Sequence, residues 1–207
     1  MSPPEHFAVC LFPGFQALDV FGPMDAWNFL SMSHSEMKLS ILSSSLEPVP
    51  TEPSRTFSQS VVPTHTYETA PNDIDVLLIP GGIGLRQGGA HEALKSFIKA
   101  RASHVQYILT VCTGSALLAQ TGLLDGRKAT TNKRSWEWAT KQGARVDWVR
   151  KARWVVDEKY WTSSGVSAGI DMALAWIAEV YSQDEADLTA SRMEYVANKD
   201  SSNDPFA

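Results

Sequence analysis

Residues 105–118, VQYILTVCTGSALL, decide the fold of this 207-residue chain. The first half of this stretch is mostly β-branched, aromatic and aliphatic, which is typical of a buried parallel strand. The residues after Cys112 are small and then helix-forming, which indicates a sharp turn into a helix. We therefore predict a strand-to-helix elbow at Cys112, with the thiol lifted toward solvent at the carboxyl edge of a sheet.

The predicted elbow makes Cys112 a candidate nucleophile. The N–H groups of the new helix face the thiol there, and their dipoles favour thiolate over thiol. The alternative is an inert core residue, because free cysteines are among the most buried residue types. Cys10, inside the apolar run 7–12, fits that alternative. The Gly and Ser residues that follow Cys112 favour the reactive interpretation at that position.

Further apolar runs alternate with helical patterns along the chain and predict its fold class. Strand patterns occupy 39–43 and 74–80 in addition to 7–12, and helical patterns occupy 24–30, 91–102 and 170–181. A hairpin is expected around 157–159. Strands that alternate with helices at these intervals predict an α/β fold with a mostly parallel central sheet.

Length and composition narrow the classes of protein and partner. We expect one domain over 1–207, with loose termini at about 1–5 and 198–207. A net charge of −5 and an isoelectric point near 5.5 argue against nucleic acid as a partner. No apolar stretch reaches the length of a membrane span, and no signal peptide precedes residue 7, so we expect a cytoplasmic protein. The two cysteines predict neither a disulfide framework nor a zinc site.

Three segments are expected to meet at the carboxyl edge of the sheet, where ligands collect in open α/β folds. They are the loop that holds Asp19, the turn at Gly82 and the elbow at Cys112. The free N–H of Gly82, together with that of Thr113, forms an anion cradle in this interpretation. The cradle is aimed at charge that develops on a substrate bound to Cys112.

Asp19 has two possible roles. An aspartate before a helix is commonly an N-cap, and the spacing alone favours that role. Beside Cys112, however, a carboxyl group hydrogen-bonded to the thiolate would hold the proton and deliver or remove it during turnover. No histidine is close in sequence to either motif. We therefore expect a site made of a cysteine and a carboxyl group.

Five ordered segments carry a family resemblance: 18–23, 79–82, 110–115, 122–131 and 164–172. Together they resemble the ThiJ/PfpI superfamily, and within it they are most similar to isocyanide (isonitrile) hydratases. The resemblance implies a flavodoxin-like sandwich, a homodimer, a small-molecule substrate, and no cofactor or metal. It also implies that Cys112 is the nucleophile, Asp19 its acid/base partner, and Gly82 and Thr113 the backbone cradle. Ser167 and Asp171 are expected to be structural.

The sequence departs from many relatives at Asn132, where they have a histidine after the Leu-Leu-Asp-Gly turn. Asparagine transfers no proton near neutral pH, so chemistry that depends on that histidine is disfavoured. Our leading expectation is hydration of an isocyanide to an N-formyl amine through a thioimidate on Cys112. The alternatives are a glyoxalase-like enzyme acting on a reactive carbonyl or other small metabolite, and a redox sensor in which Cys112 is oxidised to a sulfinate.

The organic group of such a substrate needs an apolar pocket. Phe21, Trp27 and Trp161 are candidate lining residues, although aromatic side chains are more often part of the core.

Overall fold

The computed structural model describes residues 3–52, 54–86 and 91–207. The strands are β1 (His6–Cys10), β2 (Lys38–Ser43), β3 (Val49–Pro50), β4 (Ser60–Val61), β5 (His65–Thr66), β6 (Val76–Ile79), β7 (Tyr107–Thr110), β8 (Lys128–Ala129), β9 (Asp147–Trp148), β10 (Trp154–Asp157) and β11 (Tyr160–Ser163). The helices are α1 (Ala17–Ser31), α2 (Glu92–Arg101), α3 (Gly114–Gln120), α4 (Trp136–Thr140), α5 (Ala168–Val180) and α6 (Gln183–Arg192). Short 3₁₀ turns cover Ile83–Arg86 and Lys133–Ser135.

The central sheet has seven strands in the order β10-β11-β7-β6-β1-β2-β5. All neighbouring pairs are parallel except β10 and β11, which form the predicted antiparallel hairpin. β1 and β6 are buried along their whole length, as expected of parallel strands covered on both faces. The predicted α/β fold with a mostly parallel central sheet is confirmed.

The helices pack in two groups. α1, α5 and α6 contact one another, while α2 contacts α3 and α3 contacts α4. An aromatic cluster joins the first group to the sheet: the Phe7 ring of β1 lies 4.8 Å from Trp27 of α1 and 5.7 Å from Trp176 of α5. Edge-to-face and tilted aromatic contacts of this kind stabilise the fold beyond the effect of the apolar area that they bury. The cluster therefore holds α1 against the sheet.

The first helix begins earlier than the sequence pattern predicts, at Ala17 instead of residue 24. Gly22 and Pro23, which suggested a loop, lie inside it. A Cβ at position 22 would be 2.7 Å from the side chain of Ile170, so glycine here lets α1 approach α5 closely. Packing between α1 and α5 has therefore overridden the preference of glycine and proline for positions outside helices. As a result, Asp19 lies on a helix.

The carboxyl-terminal segment, expected to be loose from residue 198, is instead joined to the domain by hydrogen bonds. The N–H of Asn198 donates to Asp171 Oδ1 at 2.9 Å, and the N–H of Arg153 donates to Ser201 O at 2.7 Å. Asp204 is buried. At the other end Met1 and Ser2 lie outside the described residues, while Pro4 accepts a hydrogen bond from the Tyr181 hydroxyl at 2.6 Å. Within the described ranges, none of the helices has the length and apolar character to span a bilayer.

Candidate active site

The backbone of Cys112 is held in an unusual conformation at the end of β7. Its φ of 58° is in the left-handed region, which costs a non-glycine residue on the order of 1 kcal/mol. Three hydrogen bonds fix it there: the Cys112 N–H donates to Ser164 O at 2.9 Å, and its carbonyl accepts from the hydroxyls of Thr131 at 3.0 Å and Ser115 at 3.1 Å. The predicted elbow is present, and it is held rigidly.

The thiol of Cys112 is more buried than the sequence predicted. Only 7% of the residue is exposed, because it lies beneath neighbouring segments instead of projecting into solvent. It borders an open cavity of about 460 Å³, whose lining also includes Gln16, Thr113, Asn132 and Val166. A small molecule therefore reaches the sulfur through this cavity.

Asp19 is fully buried beside this thiol, in the first turn of α1. Its Oδ2 accepts the N–H of Gly81 at 2.9 Å, and its Oδ1 has no hydrogen-bond donor among the described residues. Burial raises the pKa of Asp19 to about 7, although the Gly81 N–H and the Cys112 thiol both lower it. The N-cap of α1 is Gln16, so the capping role considered for Asp19 does not apply.

The close approach of these groups depends on Gly81. A Cβ there would be 2.5 Å from Thr113 Oγ1 and 3.0 Å from Asp19 Oδ2. Any larger residue here would push against Thr113 on the elbow and, less strongly, against the Asp19 carboxyl group.

Burial opposes the thiolate that the helix dipole was expected to favour at Cys112. Burial, with a smaller contribution from the nearby charge of Asp19, raises the pKa of this thiol to about 12. The N–H groups of Thr113 and Val166 and the side chain of Asn132 lower it, but they do not overcome desolvation. Asp19 is the titratable group next to this thiol, and burial raises its pKa as well.

Asn132 occupies the position where a histidine was expected from relatives. Its Oδ1 accepts the N–H of Ser135 at 2.9 Å, which leaves its NH₂ group as the donor toward Cys112. Asn132 therefore supplies a hydrogen bond to the sulfur and no proton transfer. No histidine lines this cavity in the described part of the chain. His91, which follows the turn at Gly82 in the chain, donates a hydrogen bond from Nε2 to Gly84 O at 3.0 Å.

The backbone donors at the thiol differ from those predicted. The Gly82 N–H, expected to be free, donates to Thr113 Oγ1 at 3.1 Å because the turn brings that hydroxyl within reach. The second backbone donor near the sulfur is Val166, whose φ is 36°. A β-branched residue with positive φ has no sequence signal of its own. In the sequence, only the family resemblance of segment 164–172 indicated that the region around Val166 is important.

The three aromatic residues considered for the pocket do not line the cavity at Cys112. Trp27 packs in the core, 6.0 Å from the Trp176 ring, and Trp161 is buried on β11 opposite Leu109. Phe21 is 41% exposed on the outer side of α1. The alternative of a core role thus fits Trp27 and Trp161.

A buried ion pair, Lys133 with Asp204, contacts the segments that hold the Cys112 elbow. Lys133 Nζ donates to Ser164 Oγ at 3.2 Å and lies 3.3 Å from Asp204 Oδ2, while the Ser164 hydroxyl donates to the same carboxylate at 2.5 Å. The Lys133 side chain is 4% exposed and that of Asp204 is not exposed. The same lysine also donates to Thr131 O at 3.1 Å. It thus joins the two segments that fix the Cys112 backbone.

Asp171 and Ser167 lie outside the cavity lining. The Asp171 Oδ2 accepts from Arg153 Nε at 2.5 Å, and its Oδ1 accepts from the Tyr195 hydroxyl at 2.9 Å. Arg153 also reaches Ser167 Oγ, at 3.5 Å. These contacts link α5 to the segment that follows α6. In the described residues, no three His, Cys, Asp or Glu side chains gather in an arrangement that would hold a metal ion.

The fold and the cysteine elbow define the class of protein. The chain belongs to the DJ-1/PfpI family, whose model matches residues 5–179. The predicted ThiJ/PfpI membership is therefore confirmed.

Similarity to particular proteins extends over most of the chain. It is 34% identical to the isonitrile hydratase of Pseudomonas putida over 185 residues, which are 89% of this chain and 76% of that protein. The crystal structure of a ThiJ/PfpI family protein from Pseudomonas syringae aligns with a TM-score of 0.80 and 32% identity, covering 95% of this chain and 77% of that one. A deglycase of Pyrococcus horikoshii is 31% identical over 109 residues, 53% of this chain and 61% of the deglycase. The relatives thus differ in activity.

Proposed function

We propose that this protein hydrates an isocyanide to an N-formyl amine, with Cys112 as nucleophile and Asp19 as acid/base. The observation that carries the proposal is the pairing of a buried thiol with a single buried carboxyl group, with Asn132 at the histidine position. The similarity to an isonitrile hydratase agrees with it. Hydration of this kind requires a nucleophile and one proton carrier, and the site contains both.

The first step forms the carbon–sulfur bond. Asp19 takes the thiol proton as the sulfur of Cys112 attacks the terminal carbon of R–N≡C, and it then delivers that proton to the same carbon. The product is a thioimidate, R–N=CH–S, on Cys112. A carboxyl group with a pKa of about 7 is suited to both transfers near neutral pH, because neither protonation state is strongly favoured.

The second step consumes water. Asp19 takes one proton of the attacking water, the oxygen adds to the thioimidate carbon, and the nitrogen is protonated. Collapse of the tetrahedral adduct expels the sulfur and leaves R–NH–CHO. One proton of the water ends on nitrogen and the other returns to the pair of Cys112 and Asp19.

The hydrogen-bond donors at the sulfur act when it leaves. The N–H groups of Thr113 and Val166 and the NH₂ of Asn132 stabilise negative charge on the sulfur of Cys112. Their dipoles are fixed by the local backbone and by the Ser135 N–H, so little reorganisation is needed during the reaction.

One assay separates this function from its alternatives. Purified protein is incubated with phenyl isocyanide or with methylglyoxal, and N-phenylformamide and lactate are quantified. Formamide without lactate supports the proposal. Lactate without formamide would favour a glyoxalase-like enzyme. If neither product forms, oxidation of Cys112 to the sulfinate by mild peroxide would favour redox sensing.

We also propose that the protein acts as a homodimer. Leu18 and Phe21 are 42% and 41% exposed on the helix that carries Asp19, and covering them with the same face of a second copy removes apolar surface from water. Sedimentation equilibrium tests this. A dimer that Phe21→Glu dissociates supports the proposal, and a wild-type monomer contradicts it.

A further inference from the structure

The cavity at Cys112 has two guanidinium groups on its solvent side. Arg86 and Arg134 line it, and both are exposed, whereas Cys112 is buried. No Asp or Glu lines this cavity among the described residues. Neither arginine lies within 4 Å of a carboxylate in the described ranges, and the seven residues outside them include no acidic side chain.

The position of Arg86 is fixed by its neighbours. Its guanidinium donates to the hydroxyl of Ser135 and lies 5.0 Å from the centre of the Trp138 ring. Ser135 follows Arg134 in the chain, and both arginines line the same cavity. A guanidinium held by an aromatic face and one hydrogen bond keeps its other N–H donors for a ligand.

This positive surface is unusual for the chain as a whole. The net charge is −5, so the long-range field of the protein does not attract anions. The two arginines in the cavity lining carry charge opposite in sign to the net charge of the chain. Two arginines that line one cavity are suited to bind a planar anion, because guanidinium groups bind such anions through paired hydrogen bonds.

We infer that the substrate of the Cys112 site carries a carboxylate, bound by Arg86 and Arg134 while its reactive carbon meets the sulfur. This inference rests on the proposed function in one respect, that the reactive carbon is that of an isocyanide. The carboxylate is inferred from the two arginines alone. On this basis the substrate class is an isocyano carboxylic acid.

Alkylation of Cys112 tests the anion preference without any isocyanide. Iodoacetate and iodoacetamide differ in charge and react with the same sulfur, and the tryptic peptide 102–127 reports on Cys112 separately from Cys10. We expect the ratio of the two rates, iodoacetate over iodoacetamide, to fall about 10-fold in Arg86→Gln combined with Arg134→Gln. Arg145→Gln, at a residue whose side chain is 78% exposed and outside the cavity, is the control, and it should leave the ratio unchanged.

A pair of isocyanides then tests the substrate class. The ratio of kcat/KM for 4-isocyanobenzoate over its methyl ester should exceed 1 in the wild type and fall about 10-fold in the double variant. Rate ratios that stay unchanged in both assays would overturn the inference, even if both isocyanides are hydrated. If neither isocyanide is hydrated but the alkylation ratio falls, the anion site stands and the proposed function fails. If neither reagent alkylates Cys112 and neither isocyanide is hydrated, both fail.

Discussion

Asn132 directs its side-chain NH₂ toward the sulfur of Cys112, because its Oδ1 is occupied by the N–H of Ser135. The interaction stabilises the thiolate relative to the thiol without offering a group that transfers protons. In the proposed mechanism the acid/base work therefore rests on Asp19.

Asn132→Asp replaces this donor with a carboxylate. The new negative charge opposes ionisation of Cys112, so we expect the pKa of the thiol to rise and alkylation by iodoacetamide at pH 8 to slow by about 10-fold or more. Rates are measured by mass spectrometry of peptide 102–127. Asn28→Asp, at an exposed position on α1, introduces the same charge and should leave the rate unchanged. An equal rate in Asn132→Asp and the wild type would contradict the donor role.

The rate of hydration should follow the ionisation of Asp19. The mechanism begins with the Asp19 carboxylate taking the thiol proton, and the pKa of this group is raised by burial to about 7. We therefore expect kcat/KM for phenyl isocyanide to rise from pH 5 to pH 7 and to level off above about pH 7.5. A profile that is flat over this range would contradict the assignment.

Asp19 also makes stability depend on pH. Burial raises its pKa from 3.8 to about 7 in the folded state, so the native protein binds a proton that the unfolded chain releases. The contribution of Asp19 to stability is therefore full at low pH and is lost as pH rises from about 4 to 7, by up to about 4 kcal/mol. Asp19→Asn removes this dependence.

Urea unfolding at pH 5 and pH 8 measures the effect. We subtract the free energy of unfolding of the wild type from that of Asp19→Asn. This difference should be larger at pH 8 than at pH 5. The variant should also lose its activity. Asp25→Asn, at an exposed position on the same helix, is the control, for which the difference should stay constant. An Asp19→Asn difference that does not change with pH would refute the account of this buried carboxyl group.

The pair of Lys133 and Asp204 should be important for stability. Asp204→Ala leaves the ammonium of a buried lysine without its carboxylate, which costs about 3 kcal/mol. Urea unfolding at pH 7 measures the loss. The double variant Lys133→Met with Asp204→Ala should recover part of it, since no buried charge then remains. Asp200→Ala, exposed in the same segment, should change the free energy of unfolding by less than about 0.5 kcal/mol.

Much of the fold was predictable because its central strands carry strong patterns. The runs that became β1, β6 and β7 are mostly apolar, and the small residues after Cys112 mark the elbow. The start of α1 was not predictable in the same way. Its early glycine and proline are accommodated by packing against α5, which is distant in sequence.

The site was predictable where a motif is local and unpredictable where distant segments meet. Cys112 and Asp19 were proposed from their own segments and from the family resemblance, and the structure places them next to each other. The groups near residues 132 and 166 that lower the pKa of Cys112 come from segments distant in sequence. Arg86 and Arg134 lie in 3₁₀ turns far apart in the chain, and no spacing rule connects them. Asp204 lies in a polar segment that has no hydrophobic periodicity to indicate burial.

The most direct test of the account is the rate at which Cys112→Ala converts phenyl isocyanide to N-phenylformamide. Cys10→Ala is the matched control, since Cys10 is fully buried in β1 and has no role in the proposed chemistry. We predict that kcat/KM falls by more than about 1,000-fold in Cys112→Ala and stays near the wild-type value in Cys10→Ala. Hydration by Cys112→Ala at the wild-type rate would contradict the claim that this thiol is the nucleophile.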